Sequence, residues 1–236
     1  MRTRLGGSKG VLKAAHFTDV HLGPHFSLLR LQKLVKEIML QKPDVIFFTG
    51  DLIDRPLHYN SEKEAGRILS CLKAPYGKYA VLGNHDYRGD DGRLGKSVLK
   101  TAGFTFLNNQ ATGFITKAGL WVNVVGLADT IYQKPNYTII KPPKGEQLTI
   151  VLTHEGDFAN KIAARRPDII LAGHSHGGQF RLPVMGPVIT TKHAHKYVQG
   201  LYKVRQSLLY VDSGIGTSSL PGRFLAPPGF SVLQIV

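Results

Sequence analysis

Residues 167–180 read PDIILAGHSHGGQF. An apolar run ends in Gly173, and two histidines, His174 and His176, follow one residue apart. One strand-end histidine is ordinarily a satisfied polar group, whereas two invite a metal ion that they cannot hold alone. The rest of the chain must supply partners, and it repeats the same phrase four more times. Residues 11–17 (VLKAAHF) run into Thr18, Asp19 and His21, and residues 44–48 (DVIFF) into Gly50, Asp51 and Asp54. Residues 79–82 (YAVL) run into Gly83, Asn84, His85 and Asp86, and residues 148–152 (LTIVL) into Thr153 and His154. Short apolar runs stopped by polar clusters read as strands covered on both faces.

Helical patterns lie between these runs. LLRLQKLVKEIMLQ has apolar residues at three- and four-residue spacing and stops before Pro43. SEKEAGRILSCL follows an Asn-Ser cap signal, and DFANKIAARR ends before Pro167. Strand and helix in alternation predict a mostly parallel sheet with helices on its faces. The stretches 104–127 and 197–214 read instead as short strands and hairpins turning at KAG and RQ, which predicts a second, more antiparallel sheet. The proline-rich YQKPNYTIIKPPKGEQ reads as a surface loop. The fold class is therefore α/β, with a flexible basic segment at 1–10 and one domain over 11–236.

The net charge of +14 attracts anions: phosphorylated substrates, nucleic acid or an anionic membrane face. No uninterrupted Lys/Arg block favours nucleic acid. Neither a signal-peptide core nor an apolar span of membrane length is present, so the expected location is cytoplasmic or membrane-peripheral. The single cysteine, Cys71, excludes an intrachain disulfide and is expected half-buried on its helix. Trp121 is expected in the core and His16 packed inside the first strand. His25 is placed at the pocket border, while KHAHK, with His193 and His195, is expected to be an exposed loop.

In open α/β sheets, sites form outside the carboxyl ends of strands, where all five polar clusters fall. Asp19, His21, Asp51, Asn84, His85, His154, His174 and His176 gather there. If the segments are extended, residues i and i+2 share a face, so Asp19/His21 and His174/His176 can each present both side chains to one pocket. So many imidazole, carboxylate and amide donors suit two divalent ions about 3.5–4 Å apart, bridged by a carboxylate. Mn²⁺ is the expected metal, with Fe, Zn²⁺ or Mg²⁺ as alternatives.

In order, TDVH, GDLIDR, GNHD, LTH and GHSHGG resemble the signature of the calcineurin-like metallophosphoesterases. GHSHGGQFRLP and DSGIGTSSLPGRFLAPP are similar to the bacterial branch of membrane-associated phosphoesterases and UDP-diacylglucosamine pyrophosphate hydrolases. The resemblance implies a four-layer sandwich of two mixed β-sheets flanked by helices. It implies Asp19, His21 and His176 on one ion, Asn84, His154 and His174 on the other, and Asp51 between them. His85 would face the substrate, with Asp54 orienting its ring and Arg55, beside Asn84 and His25, meeting phosphate. The implied reaction is hydrolysis of a phosphodiester or pyrophosphate, of a lipid-linked or nucleotide-sugar compound, by a hydroxide held between the metals with His85 assisting. A nuclease and a non-catalytic metal-binding scaffold are the alternatives. HEGD, with Gly156 where relatives often carry proline, departs from the pattern and puts the local loop shape in question.

Overall fold

The computed structural model describes residues 11–183, 185–188, 190–217 and 221–235. The expected flexible segment at 1–10 lies outside the described residues. The first half of the chain runs β1 (Leu12–Phe17), α1 (Leu28–Leu40), β2 (Val45–Thr49), α2 (Glu62–Ser70), β3 (Lys78–Val81), α3 (Asn84–Tyr87), α4 (Arg93–Thr101) and β4 (Thr105–Phe106). It continues through β5 (Gln110–Ile115), β6 (Trp121–Gly126), β7 (Leu148–Glu155), α5 (Ala159–Ala163) and β8 (Ile169–Gly173). The last elements are β9 (Arg181–Leu182), β10 (Gly186–Pro187), β11 (Gly200–Val204), β12 (Ser207–Val211) and β13 (Ser231–Ile235).

One sheet has the order β13-β1-β2-β3-β4, and the other β11-β12-β8-β7-β6-β5. Both are mixed. In the first, β13 joins β1 antiparallel while the remaining pairs are parallel. In the second, the edges β5 and β11 are antiparallel and the interior pairs are parallel. The five polar-ended strands thus divide between two sheets, β1, β2 and β3 in one and β7 and β8 in the other, where the sequence pattern had suggested one mostly parallel sheet for all five beside a second, more antiparallel one.

Alternation along β2 explains the layering. Val45 and Phe47 face the second sheet, joining Val122, Val124, Ile150 and Leu171 in the central core. Ile46 and Phe48 face the other way, against Leu31, Val35 and Ile38 of α1 and Leu69 of α2. The second sheet repeats the device, turning Val151 and Ile170 outward onto Ala159 and Ile162 of α5. Burial on both faces of a strand favours apolar residues at nearly every position, which is why these runs carry no polar alternation.

α1 starts at Ser27, whose hydroxyl accepts the Arg30 backbone N–H at 3.4 Å. Ser61 stands at the start of α2 without a capping side-chain bond. The helix expected over DFANKIAARR is a 3-10 turn, Gly156–Phe158, followed by the short α5. Trp121 is 40% exposed rather than buried, because its neighbours Val122 and Val124 take the inward face of β6. Cys71 is exposed at the C-terminal end of α2 rather than half-buried. His16 is packed as expected, with its ring bonded to Thr49 Oγ1 at 2.8 Å.

Candidate metal centre

The loops after β1 and β2 run side by side, with Asp19 N donating to Gly50 O at 2.9 Å, His21 N to Asp51 O at 3.1 Å and Leu22 N to Leu52 O at 2.8 Å. Asp19, His21, Asp51, His174 and His176 all have positive φ, between 50° and 70°. The paired side chains are therefore aimed by left-handed residues and not by extended segments, as the period-two argument had assumed. Non-glycine residues in this region are uncommon and strained, and such strain concentrates at functional sites. Glycines make the crowding possible. A Cβ on Gly83 would lie 2.6 Å from His154 Cε1, and one on Gly173 would lie 2.5 Å from Asp19 Oδ2.

Two groups of donors result, Asp19–His21–His176 and Asp51–His154–His174, each with its ligand atoms within 4.8 Å of one another and all buried. His21 also forms such a group with Asp51 and His85. Asp51 stands between the groups: Oδ2 is 3.3 Å from His154 Nε2 and 3.5 Å from His21 Nε2, while Oδ1 accepts the His85 backbone N–H at 2.8 Å. Asp19 Oδ2 accepts the His174 backbone N–H at 2.9 Å, leaving Oδ1 3.5 Å from His176 Nε2. Buried Asp19 Oδ1 and Asn84 Oδ1 have no hydrogen-bond partner.

The ring hydrogen bonds test whether cations fit. His154 Nδ1 lies 2.6 Å from the Thr49 carbonyl, and His174 Nε2 lies 2.7 Å from the Lys192 carbonyl. Carbonyl oxygens only accept, so each ring donates there. In the neutral rings, His154 Nε2 and His174 Nδ1 then turn lone pairs toward each other at 3.1 Å, beside the Asp51 carboxylate. Facing acceptors of this kind, with the orphaned Asn84 oxygen, fit a divalent cation of nitrogen and oxygen preference.

In the ion-free centre the carboxylates favour protons on the His154 and His21 rings, a charge that a bound cation would replace. Burial favours neutral carboxyls, yet the His154 and His85 charges hold Asp51 well below the usual carboxylate range. Burial opposes charge on His154, but Asp51 outweighs it and holds the ring well above the ordinary histidine value. Burial opposes charge on His21, but the nearby Asp19 and Asp54 carboxylates outweigh it and push the ring up to about 9. His176 is driven down to about 3, chiefly by burial, with Asp19 opposing.

His85 directs Nδ1 at Asp54, 3.0 Å from its carbonyl and 3.2 Å from Oδ1. The same Asp54 Oδ1 is 3.5 Å from His21 Nδ1, so one carboxylate steadies both rings. Arg55 is exposed, with Nε 3.6 Å from Asp54 Oδ2. His25 is exposed on the loop before α1, where its carbonyl accepts from Arg30 Nη1 at 2.7 Å. Among the described residues, no contact brings the His25 ring to the His/Asp cluster.

Three supporting residues escaped the sequence reading. Arg223, within PGRF, donates to the carbonyls of His176 at 3.1 Å and Ser213 at 2.8 Å and places Nη2 3.2 Å from His176 Nδ1. Lys192 acts through its carbonyl, and Asp157 receives three backbone N–H groups from residues 195–197. KHAHK, expected to be an exposed loop, is only partly so: His195 is exposed, His193 is half-buried and Ala194 is buried.

The calcineurin-like phosphoesterase profile matches residues 12–178. The metallophosphoesterase YkuE of Bacillus subtilis (strain 168) is 35% identical over 224 residues, spanning 94% of this chain and 78% of that protein. The phosphodiesterase YaeI of Escherichia coli (strain K12) is 30% identical over 232 residues, spanning 95% and 82%. The crystal structure of TT1561 of Thermus thermophilus shares the fold at a TM-score of 0.53 and 14% identity, covering 87% of this chain and 90% of that one.

Proposed function

The chain belongs to the calcineurin-like phosphoesterase family, hydrolases of phosphoric esters, and on that premise we propose that it cleaves a phosphodiester or pyrophosphate bond at a centre of two divalent cations. The observation that carries this reading is the placement of Asp51 Oδ2 between two sets of buried imidazoles, with acceptor atoms facing one another at 3.1 Å. Asp19, His21 and His176 would hold one ion, Asn84, His154 and His174 the other, and Asp51 both. Mn²⁺ is the metal we assign first. When bound, the ions supply charge neutralisation at the phosphoryl group and lower the pKa of the attacking water.

The remaining steps belong to side chains. Asp54 fixes the His85 ring through Nδ1. Burial works against charge on His85, but Asp51 and Asp54 raise its pKa above the ordinary value. With one proton committed to Asp54, the second sits on Nε2, where a departing oxygen can take it. Arg55, exposed beside Asp54, is available to meet a phosphate oxygen from the solvent side.

A phosphodiester is favoured by the likeness to YaeI. A lipid-linked substrate, and contact with an anionic membrane, are supported by the surface beside His176. Leu182, Met185, Val188, Phe224 and Leu225 are all exposed there, on two segments joined by the Arg181 N to Phe224 O bond at 2.9 Å. From residue 169 onward the one acidic residue is Asp212, which is buried. Apolar residues in an acid-poor surface suit an anionic interface. Among the described residues no helix is long and apolar enough to cross a membrane.

The test is His85→Ala, assayed on bis-p-nitrophenyl phosphate with Mn²⁺. Turnover should fall by about 10²–10⁴-fold, the scale of general acid catalysis, with two ions per chain retained. Wild-type turnover in the variant would remove His85 from the reaction, and a chain that binds no metal would overturn the whole reading. Equal hydrolysis of soluble and lipid-linked diesters, without vesicle association, would remove the membrane contact.

A further inference from the structure

Residues 190–197 wrap around His174. The Lys192 carbonyl accepts from His174 Nε2 at 2.7 Å, and Thr191 Oγ1 donates to the His174 carbonyl at 3.4 Å. The first bond fixes the ring proton on Nε2 and keeps the lone pair on Nδ1, the atom facing His154. What anchors this segment is Asp157, three residues beyond His154 in the turn that follows β7. Its carboxylate accepts the backbone N–H groups of His195 at 2.8 Å, Lys196 at 2.9 Å and Tyr197 at 3.0 Å. Packing reinforces the tie. Phe158 meets the His193 ring edge-on at 5.0 Å between centroids, and Ala194 is buried. The turn Gly156–Phe158 and the segment 191–197 therefore form one unit, held by a charged acceptor satisfied by three consecutive donors.

We propose that Asp157 is a positioning residue for the cation held by Asp51, His154 and His174. By clamping residues 195–197 it sets the Lys192 carbonyl, and through that carbonyl it sets the His174 tautomer that offers Nδ1. The proposal rests on the two-cation reading above and adds an asymmetry to it. Among the described residues no hydrogen bond ties Asp157 to Asp19, His21 or His176. The cation on that side depends instead on Arg223, which braces the backbone of His176. Loss of Asp157 should therefore loosen one ion and leave the other.

The experiment titrates the chelator-treated full chain with Mn²⁺ by calorimetry and with Co²⁺ by visible absorption, in wild type, Asp157→Ala and Asp157→Asn. Two ions per wild-type chain are expected. In Asp157→Ala one of the two should weaken by about 10–100-fold, the range seen when an outer-sphere partner of a metal ligand is lost. One set of Co²⁺ bands should fade while the other persists. Asp157→Asn keeps one carbonyl acceptor and should fall between, which preserves the test if the alanine variant does not fold. Unchanged affinity at both sites would overturn the proposal. So would equal weakening of both in step with thermal stability, since that is the mark of a loop staple. A wild-type chain that takes up a single ion would break the two-cation reading before Asp157 is touched, and the proposal with it.

Discussion

Phe47 and Asp51 lie on one run of chain, and their surroundings are opposite in kind. Phe47 sits inside β2 in regular backbone, fully buried between the two sheets, with the Tyr79 ring centroid 6.1 Å away. Asp51 has φ 57°, is equally buried, and is surrounded by imidazoles and a backbone N–H instead of hydrocarbon. The strand interior satisfies every local preference at once. The rim concentrates left-handed residues, orphaned acceptors and crowded charge, each left-handed residue costing on the order of 1–3 kcal/mol. The sheets hold the rim in a conformation it would not adopt alone, so stability and chemistry should respond to different substitutions.

Asp51→Asn should break the comparison most visibly. Removing the carboxylate between the two imidazole groups should cost turnover on the order of 10³-fold or more, the scale of a lost electrostatic contact at a reacting centre. Thermal unfolding of the metal-free chain should move by only a few degrees, because no core cavity is made and the His154 ring can release its proton once the carboxylate is gone. A variant that loses activity only in proportion to its lost fold would show that rim and core are not separable.

Phe47→Ala is the converse. Deleting a fully buried ring should cost about 3–5 kcal/mol. For a chain of this size that lowers the melting temperature by roughly 2–4 °C per kcal/mol. Turnover per folded molecule, measured well below the transition, should stay close to wild type. A large drop in turnover there would mean that core packing tunes the centre directly.

Much of this division was legible in the residues themselves. All five strands could be placed because each apolar run stops at a polar cluster, and those clusters contain the His and Asp donors that the fold brings into groups within 4.8 Å of one another. A second sheet was expected, but which strands fall in which sheet could not be read, since the pairing of β13 with β1 and of β12 with β8 joins distant segments whose periodicity says nothing about neighbours. α4 was missed because GRLGKSVLKT carries glycines that mask its period, yet Gly95 gives α4 close contact with Leu82. Trp121 was legible in principle: if Val122 and Val124 point inward, the residue before them points out. Asp157 stood in HEGD without a role and Lys192 left no local trace, because their partners lie 38 to 40 and 18 residues away.

His16 lies between the two regimes and carries the smallest effect. Its ring is fully buried, bonded to Thr49 Oγ1, and burial lowers its pKa from 6.5 to about 3, with the Asp19 charge opposing. The unfolded chain takes up a proton below pH 6.5 that the folded ring refuses until about pH 3. This contribution to stability is therefore intact above pH 6.5 and declines as the pH falls toward 3. Between pH 7 and pH 5 the loss should be about 2 kcal/mol, at 1.36 kcal/mol per unit below the unfolded value. Buried Asp212, pushed up to about 7, works in the opposite direction over the same interval, because its folded form gains the proton. That term is common to wild type and His16→Gln and cancels in their difference. Urea unfolding of the two metal-free chains at pH 7 and pH 5 should show the wild type losing about 2 kcal/mol more than the variant. Equal losses would mean that this histidine accepts a proton inside the fold, so that the strand interior tolerates charge as the rim does.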